Sequence, residues 1–254
     1  VDASYNLRYG DFKARISGYY TRIYDQSKVI SYYDDVAATF TNFAMSGIDK
    51  VHFGLEAAVS IPIYHTLALN GAVSWGQYTY DSNPYYLQTQ DNSGDIVSDG
   101  YVYWKDFRVE STPQTAVNVG LSWRSNNNIY LSADFNYYNN MYLSMSPIYR
   151  TDAVITGGMA PGDIEHLRRQ EKFDSAYTLN ASIGKNWYIH RKYTLGFSLD
   201  VKNILNNQDI KTGGYEQTRL SKNTETTVTT YQAFDSKYFY MFGTTYYLNL
   251  YFRF

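Results

Sequence analysis

The chain has 254 residues and a formal net charge of −2, with 22 Lys and Arg against 24 Asp and Glu, so it lacks the basic excess that a nucleic-acid partner requires. It has no cysteine, which excludes a disulfide framework and thiol-ligated metal sites and is compatible with export through an oxidising compartment. Aromatic residues make up 18% of the chain and charged residues 18%, and the mean hydropathy of −0.44 comes without any apolar run long enough to cross a bilayer as a helix. Only alternate residues of a membrane β-strand face lipid, so a transmembrane barrel is consistent with that hydropathy. No secretory leader opens the chain and Val1 is not an initiator Met, so a processed, cut or excerpted polypeptide is expected.

In chain order, two strands are expected at residues 1–9 and 12–24, joined by a tight turn at Gly10-Asp11. Strict alternation then sets in: Val51, Phe53, Leu55, Ala57 and Val59 oppose Lys50, His52, Gly54, Glu56, Ala58 and Ser60. The same division recurs over 67–76, 117–123, 129–138, 177–184 and 193–202. The chain closes on a strand over 244–254, with Tyr246, Leu248, Leu250, Phe252 and Phe254 on one face and Thr245, Tyr247, Asn249, Tyr251 and Arg253 on the other. That makes about nine strands, most of the length a tilted strand needs to cross a membrane.

The connections alternate in length. Short turns are expected at Gly10-Asp11, 61–66, 125–128 and 189–192, and long polar loops near 28–45, 81–112, 142–174 and 206–240. Outer-membrane barrels have this rhythm, with short turns in the periplasm and long loops outside, and the parity places Phe254 at the periplasmic rim. Trp123 and Tyr130 flank one short turn, and Trp187, Tyr188 and Tyr193 another, as an interfacial aromatic girdle demands. A soluble β-sandwich would show shorter strands and a second face rich in charge; here that face is mostly Asn, Ser, Thr, Gly and Tyr. The expected fold class is therefore all-β, a transmembrane antiparallel β-barrel. An odd number of strands cannot close antiparallel throughout, so further strands are expected before Val1.

The run Lys237-Tyr-Phe-Tyr-Met-Phe-Gly-Thr-Thr-Tyr-Tyr-Leu-Asn-Leu-Tyr-Phe-Arg-Phe254 resembles the last strand of TonB-dependent receptors of Bacteroidetes. Ser198-Leu-Asp-Val-Lys-Asn-Ile-Leu-Asn-Asn-Gln208 resembles a strand end common in those barrels. Thr112-Pro-Gln-Thr-Ala, Val119-Gly-Leu-Ser-Trp-Arg and Asn136-Tyr-Tyr-Asn-Asn-Met-Tyr-Leu are similar to barrels of the same group. The resemblance reaches from about residue 112 to the end and implies a plugged barrel of about 22 strands, of which this chain supplies roughly the last nine. It implies a location in the outer membrane of a Gram-negative bacterium. Its implied partners are outer-membrane lipid, the plug and remaining strands of the same receptor, the TonB energy-coupling system and, in capped members, a surface lipoprotein. Leu248, Leu250, Phe252 and Phe254 resemble the signal read by the barrel-insertion machinery; a lipid-facing strand would end in apolar residues in any case.

Residues that carry chemistry are scarce. His52, His65, His166 and His190 lack ligand spacing, and no Gly-x-Ser-x-Gly elbow is present. Asp81, Asp91, Asp95, Asp99, Asp106 and Glu110 share the 81–112 segment, but Asp91-Asn-Ser-Gly-Asp95 departs from the EF-hand order, and a solvated loop is expected rather than a calcium site. Arg168-Arg169, with Glu165, Glu171 and Lys172, suits a short external helix or a patch facing a partner. Arg8, Lys13, Arg15, Lys50, Glu56, Asp134, Asp200, Lys202 and Arg253 fall on the lumenal face and are expected to pair with each other or with a plug. Tyr85, Tyr86, Tyr101, Tyr103 and Tyr149 are the candidate substrate contacts, because a tyrosine ring offers a broad face with a polar handle. No catalytic, cofactor or metal residues are assigned. The expected function is active import of a glycan, peptide or metal chelate, with no bond chemistry. A passive porin or translocator and a barrel-mouth enzyme are the alternatives, and a soluble carbohydrate-binding β-protein stands behind both.

Overall fold

The computed structural model describes residues 1–35, 37–110, 112–157, 161–190, 192–223 and 230–254. One antiparallel sheet dominates. It contains β1 (Asp2–Tyr9), β2 (Phe12–Asp34), β3 (Thr39–Tyr64), β4 (Leu67–Tyr80), β7 (Thr115–Arg124), β8 (Ile129–Asn139), β9 (Ala176–Ile189), β10 (Tyr193–Lys202) and β15 (Thr245–Arg253), paired in that order. These are the nine expected strands. β1 and β15 are not paired with each other, so the sheet is open. Each strand follows its neighbour by a hairpin, and all the short turns fall at one end; Gly10 (φ 58°), Asn128 (φ 58°) and His190 (φ 51°) provide left-handed backbone in three of them.

The alternation sorts the side chains as the pleat requires. One face carries continuous apolar rows across the register: Leu7, Ala14, Val59, Gly71, Val119, Phe135 and Leu179 form one. Trp123, Leu131, Ile183, Leu199 and Leu248 form another. Nothing among the described residues packs on this face, and Leu7, Val119, Phe135, Leu131, Ile183 and Leu248 are exposed. The opposite face is polar and bonds to itself. Ser60 Oγ donates to Asn70 at 2.8 Å, Asn70 Nδ2 to Ser122 at 3.1 Å and Asn118 Nδ2 to Asn136 at 2.9 Å, and Ser132 and Ser182 share a bond of 2.8 Å. Tyrosines there lie over directly opposed glycines, Tyr19 on Gly54, Tyr130 on Gly184 and Tyr251 on Gly196.

Of residues 28–45, expected as a long polar loop, 28–34 and 39–45 are instead the outer ends of β2 and β3. The register shifts between Ile23 and Lys28, where Asp25 (φ 53°) and Gly47 (φ 73°) turn left-handed. The shift reverses the sidedness of the hairpin. Below it the apolar residues Ile16, Tyr20, Leu55 and Ile61 are exposed; above it Tyr32, Phe43 and Met45 point into a buried core. The segment expected as a loop over 81–112 forms a hairpin, β5 (Tyr85–Gln90) and β6 (Ile96–Tyr101), that adds to β3. The segment over 142–174 contains α1 (Asp152–Ile155) and α2 (Pro161–Arg168), and that over 206–240 contains β11 (Lys211–Tyr215), β12 (Leu220–Asn223), β13 (Thr230–Ala233) and β14 (Lys237–Tyr240).

Candidate functional site

The long connections build a folded cap. Its core draws Tyr32, Phe43 and Ile48 from β2–β3, Tyr86, Val102 and Trp104 from the β4–β7 connection, Ile148, Tyr149 and Leu167 from β8–β9, and Leu220 from β10–β15. All four segments thus lose apolar surface together, which fixes their positions relative to one another.

An ion pair is sealed into this cap. Arg150 is 0% exposed and donates from Nη2 to Glu216 Oε1 at 2.8 Å and from Nη1 to Glu216 Oε2, a bidentate pair. Nη1 also reaches the Ser146 carbonyl at 3.0 Å, and the guanidinium lies 5.5 Å from the Phe107 ring centre. Nearby, Glu171 accepts from Lys211 Nζ at 2.9 Å and from the Tyr238 hydroxyl at 2.6 Å. Partial burial pulls the Lys211 ammonium down, but the bond and charge of Glu171 outweigh it and leave its pKa above the usual lysine value. The same carboxylate, by its bond and then with burial, raises the Tyr238 phenol.

Beside these two pairs lies a cavity of about 540 Å³, lined by His166, Leu167, Arg169, Gln170, Glu171 and Lys172 from one segment and by Ala233, Phe234, Asp235, Ser236 and Tyr238 from another. Glu216 and Tyr149 close its floor beside the buried pair. The sequence reading missed this groove and the Arg150–Glu216 pair, because their partners are far apart in the chain and no short motif marks them.

The candidate tyrosines separate. Tyr85 and Tyr101 are exposed, with ring centres 5.7 Å apart edge to face, and the Tyr85 hydroxyl donates to Asp99 at 2.6 Å. Tyr103 donates to Asp152 at 2.5 Å, and that bond, with burial, raises its phenol pKa. Tyr86 and Tyr149 are 1% and 3% exposed and help to build the cap core, and Tyr149 also borders the cavity. Their apolar neighbours decide this: Tyr86 stacks on Phe43 at 4.6 Å. Burial, then the Glu216 charge, pushes the Tyr149 phenol up to about 12.

The acidic residues of 81–112 are dispersed. Asp81 pairs with Arg22 at 2.7 Å, Asp91 accepts from Asn42 at 2.8 Å, and Glu110 accepts from Tyr80 at 3.0 Å. No group of three His, Asp or Glu suited to a metal ion occurs among the described residues. The nine charges assigned to the polar face form no ion pair with one another among the described residues, so their expected mutual pairing does not occur. The side chains of Leu248, Leu250, Phe252 and Phe254 are all exposed at the β15 edge. His166 lies on α2 at the groove, and His52 stacks on Tyr78 at 4.8 Å on the polar face.

The fold and cap define an all-β protein built as an open antiparallel meander with a folded loop cap. Comparison with protein-family models, curated proteins and solved structures finds no match for this chain.

Proposed function

We propose that this chain is part of the wall and outer loops of a transmembrane β-barrel in the outer membrane of a Gram-negative bacterium, working in TonB-dependent import of a nutrient. The observation that carries the reading is the apolar face that runs unbroken across nine strands and then moves inward at the Asp25–Gly47 irregularity. A water-exposed apolar surface of that extent is foreign to a soluble monomer, and lipid is the solvent that suits it. On β3 the partly to fully exposed apolar band from Phe53 to Ile63 is about 33 Å along the strand, or roughly 25 Å once tilted, the height of a barrel's apolar belt. Above that level the hydrophobic side turns inward, as it does in water.

Further strands joining β1 to β15 would close the ring and leave no free edge in lipid. Import rather than passive diffusion is favoured by the unpaired charges of the polar face, which suit a polar plug, and by a cap whose core fixes it in place. The resemblance of the terminal strand supports the same assignment, with a glycan, a peptide or a metal chelate as cargo.

The test is the intact mass of the polypeptide extracted with detergent from purified outer membranes. A species much heavier than 29.3 kDa, or a tightly held second piece, agrees with the importer. A lone 29.3 kDa chain that inserts and conducts ions by itself overturns it in favour of a passive pore.

A further inference from the structure

We infer that the groove between segments 166–172 and 233–238 binds a short zwitterionic peptide, holding its carboxylate at Arg169 and Lys172 and its ammonium at Asp235. The site belongs to the cap and does not depend on whether the sheet stands in lipid. Its volume of about 540 Å³ falls in the range of small-molecule sites, roughly 300–1,000 Å³.

The argument turns on which charges of the groove are already committed. Glu216 is held by Arg150, and Glu171 by Lys211 and Tyr238. Those carboxylates are parts of the frame. The side chains of Arg169, Lys172 and Asp235 are exposed and make no hydrogen bond or ion pair among the described residues. Two free cations of one segment thus line the same cavity as a free carboxylate of the other. A simple anion would meet Asp235 unfavourably, and a simple cation would meet Arg169 and Lys172. A neutral sugar would partly desolvate all three without a counter-charge. A ligand with opposite charges at its two ends satisfies both walls, and Phe234 and Tyr238 line the space between for its apolar body.

Both walls are held in advance, which lowers the ordering cost of binding. The Lys211–Glu171–Tyr238 cluster ties segment 166–172 to segment 233–238. Within segment 233–238, the Phe234 ring centre lies 4.7 Å from the Arg219 guanidinium.

The test is calorimetric titration of the intact detergent-solubilised protein with the tripeptide Ala-Phe-Ala, free at both ends, and with its N-acetylated, C-amidated form. The free peptide is expected to bind at least about tenfold more tightly than the blocked one. Asp235→Asn should abolish the preference for a free amine, and the pair Arg169→Gln and Lys172→Gln the preference for a free carboxylate, with near-ultraviolet circular dichroism unchanged. Equal binding of free and blocked peptides, unchanged binding in both variants, or no heat at about 10 mM free peptide overturns the inference. A chain that shows this selectivity but is absent from outer membranes would sink the importer reading and leave the peptide site standing.

Discussion

Arg150 carries a full charge where water does not reach, and Glu216 is the group that makes this tolerable. Removing one partner leaves the other charge buried and unpaired, which costs about 3–5 kcal/mol, whereas replacing both with apolar residues removes the problem. Arg150→Ala is therefore expected to loosen the cap, read as faster proteolysis within 142–174 and 206–240. The double variant Arg150→Met with Glu216→Leu should recover most of the protection. Tyr149 gives a second expectation at this scale. Its phenol is held up to about 12, so the neutral form is favoured by folding. A raised pKa contributes stability that is complete below the ordinary phenol value of about 10 and is lost as pH rises through the folded value. Cap protection should thus decline between about pH 10 and pH 12, and Tyr149→Phe should remove that part of the decline.

At the scale of the element, the tyrosine–glycine pairs decide how the polar face is covered. A Cβ added at Gly184 would fall 2.1 Å from the Tyr130 ring, so Gly184→Ala must displace that ring from its place. We expect a loss of about 1–3 kcal/mol, measured by urea unfolding in detergent, and less loss when Tyr130→Ser accompanies it. The β2–β3 hairpin shows why strands can hide from a reading of the sequence. In its outer part Val29-Ile30 and Tyr32-Tyr33 put apolar residues on both faces, so the period-two pattern is lost there and 28–45 reads as a loop. At Asp25 and Gly47 each strand carries one extra residue, so the register is restored while every later side chain is sent to the opposite face.

For the whole molecule the open question is which solvent faces the apolar rows. If it is lipid, a charge placed there costs about 2–4 kcal/mol at mid-depth, while the same charge on the polar face costs little. Val119→Lys, on the exposed apolar face, should therefore destabilise the protein in bilayers, and Ala72→Lys, on the polar face, should not. Equal effects of the two, measured by reversible unfolding in vesicles, would contradict the membrane assignment.

The nine strands, the faces of their pleats and the short turns were legible in the sequence, because period-two alternation and turn residues act over a few neighbours, whereas the strands within 28–45 were not. The sequence also offered Tyr85, Tyr86, Tyr101, Tyr103 and Tyr149 as candidate contacts, of which Tyr85 and Tyr101 are exposed. Only the tertiary structure decided that the long connections form one cap, that Tyr86 and Tyr149 are buried in it, and that Arg150 meets Glu216. The fold also brings Arg169, Lys172 and Asp235 to the lining of one groove. The reason is physical: an alternating pattern is set by the local geometry of a strand, whereas burial and ion pairing depend on which distant segments compete for the same apolar space.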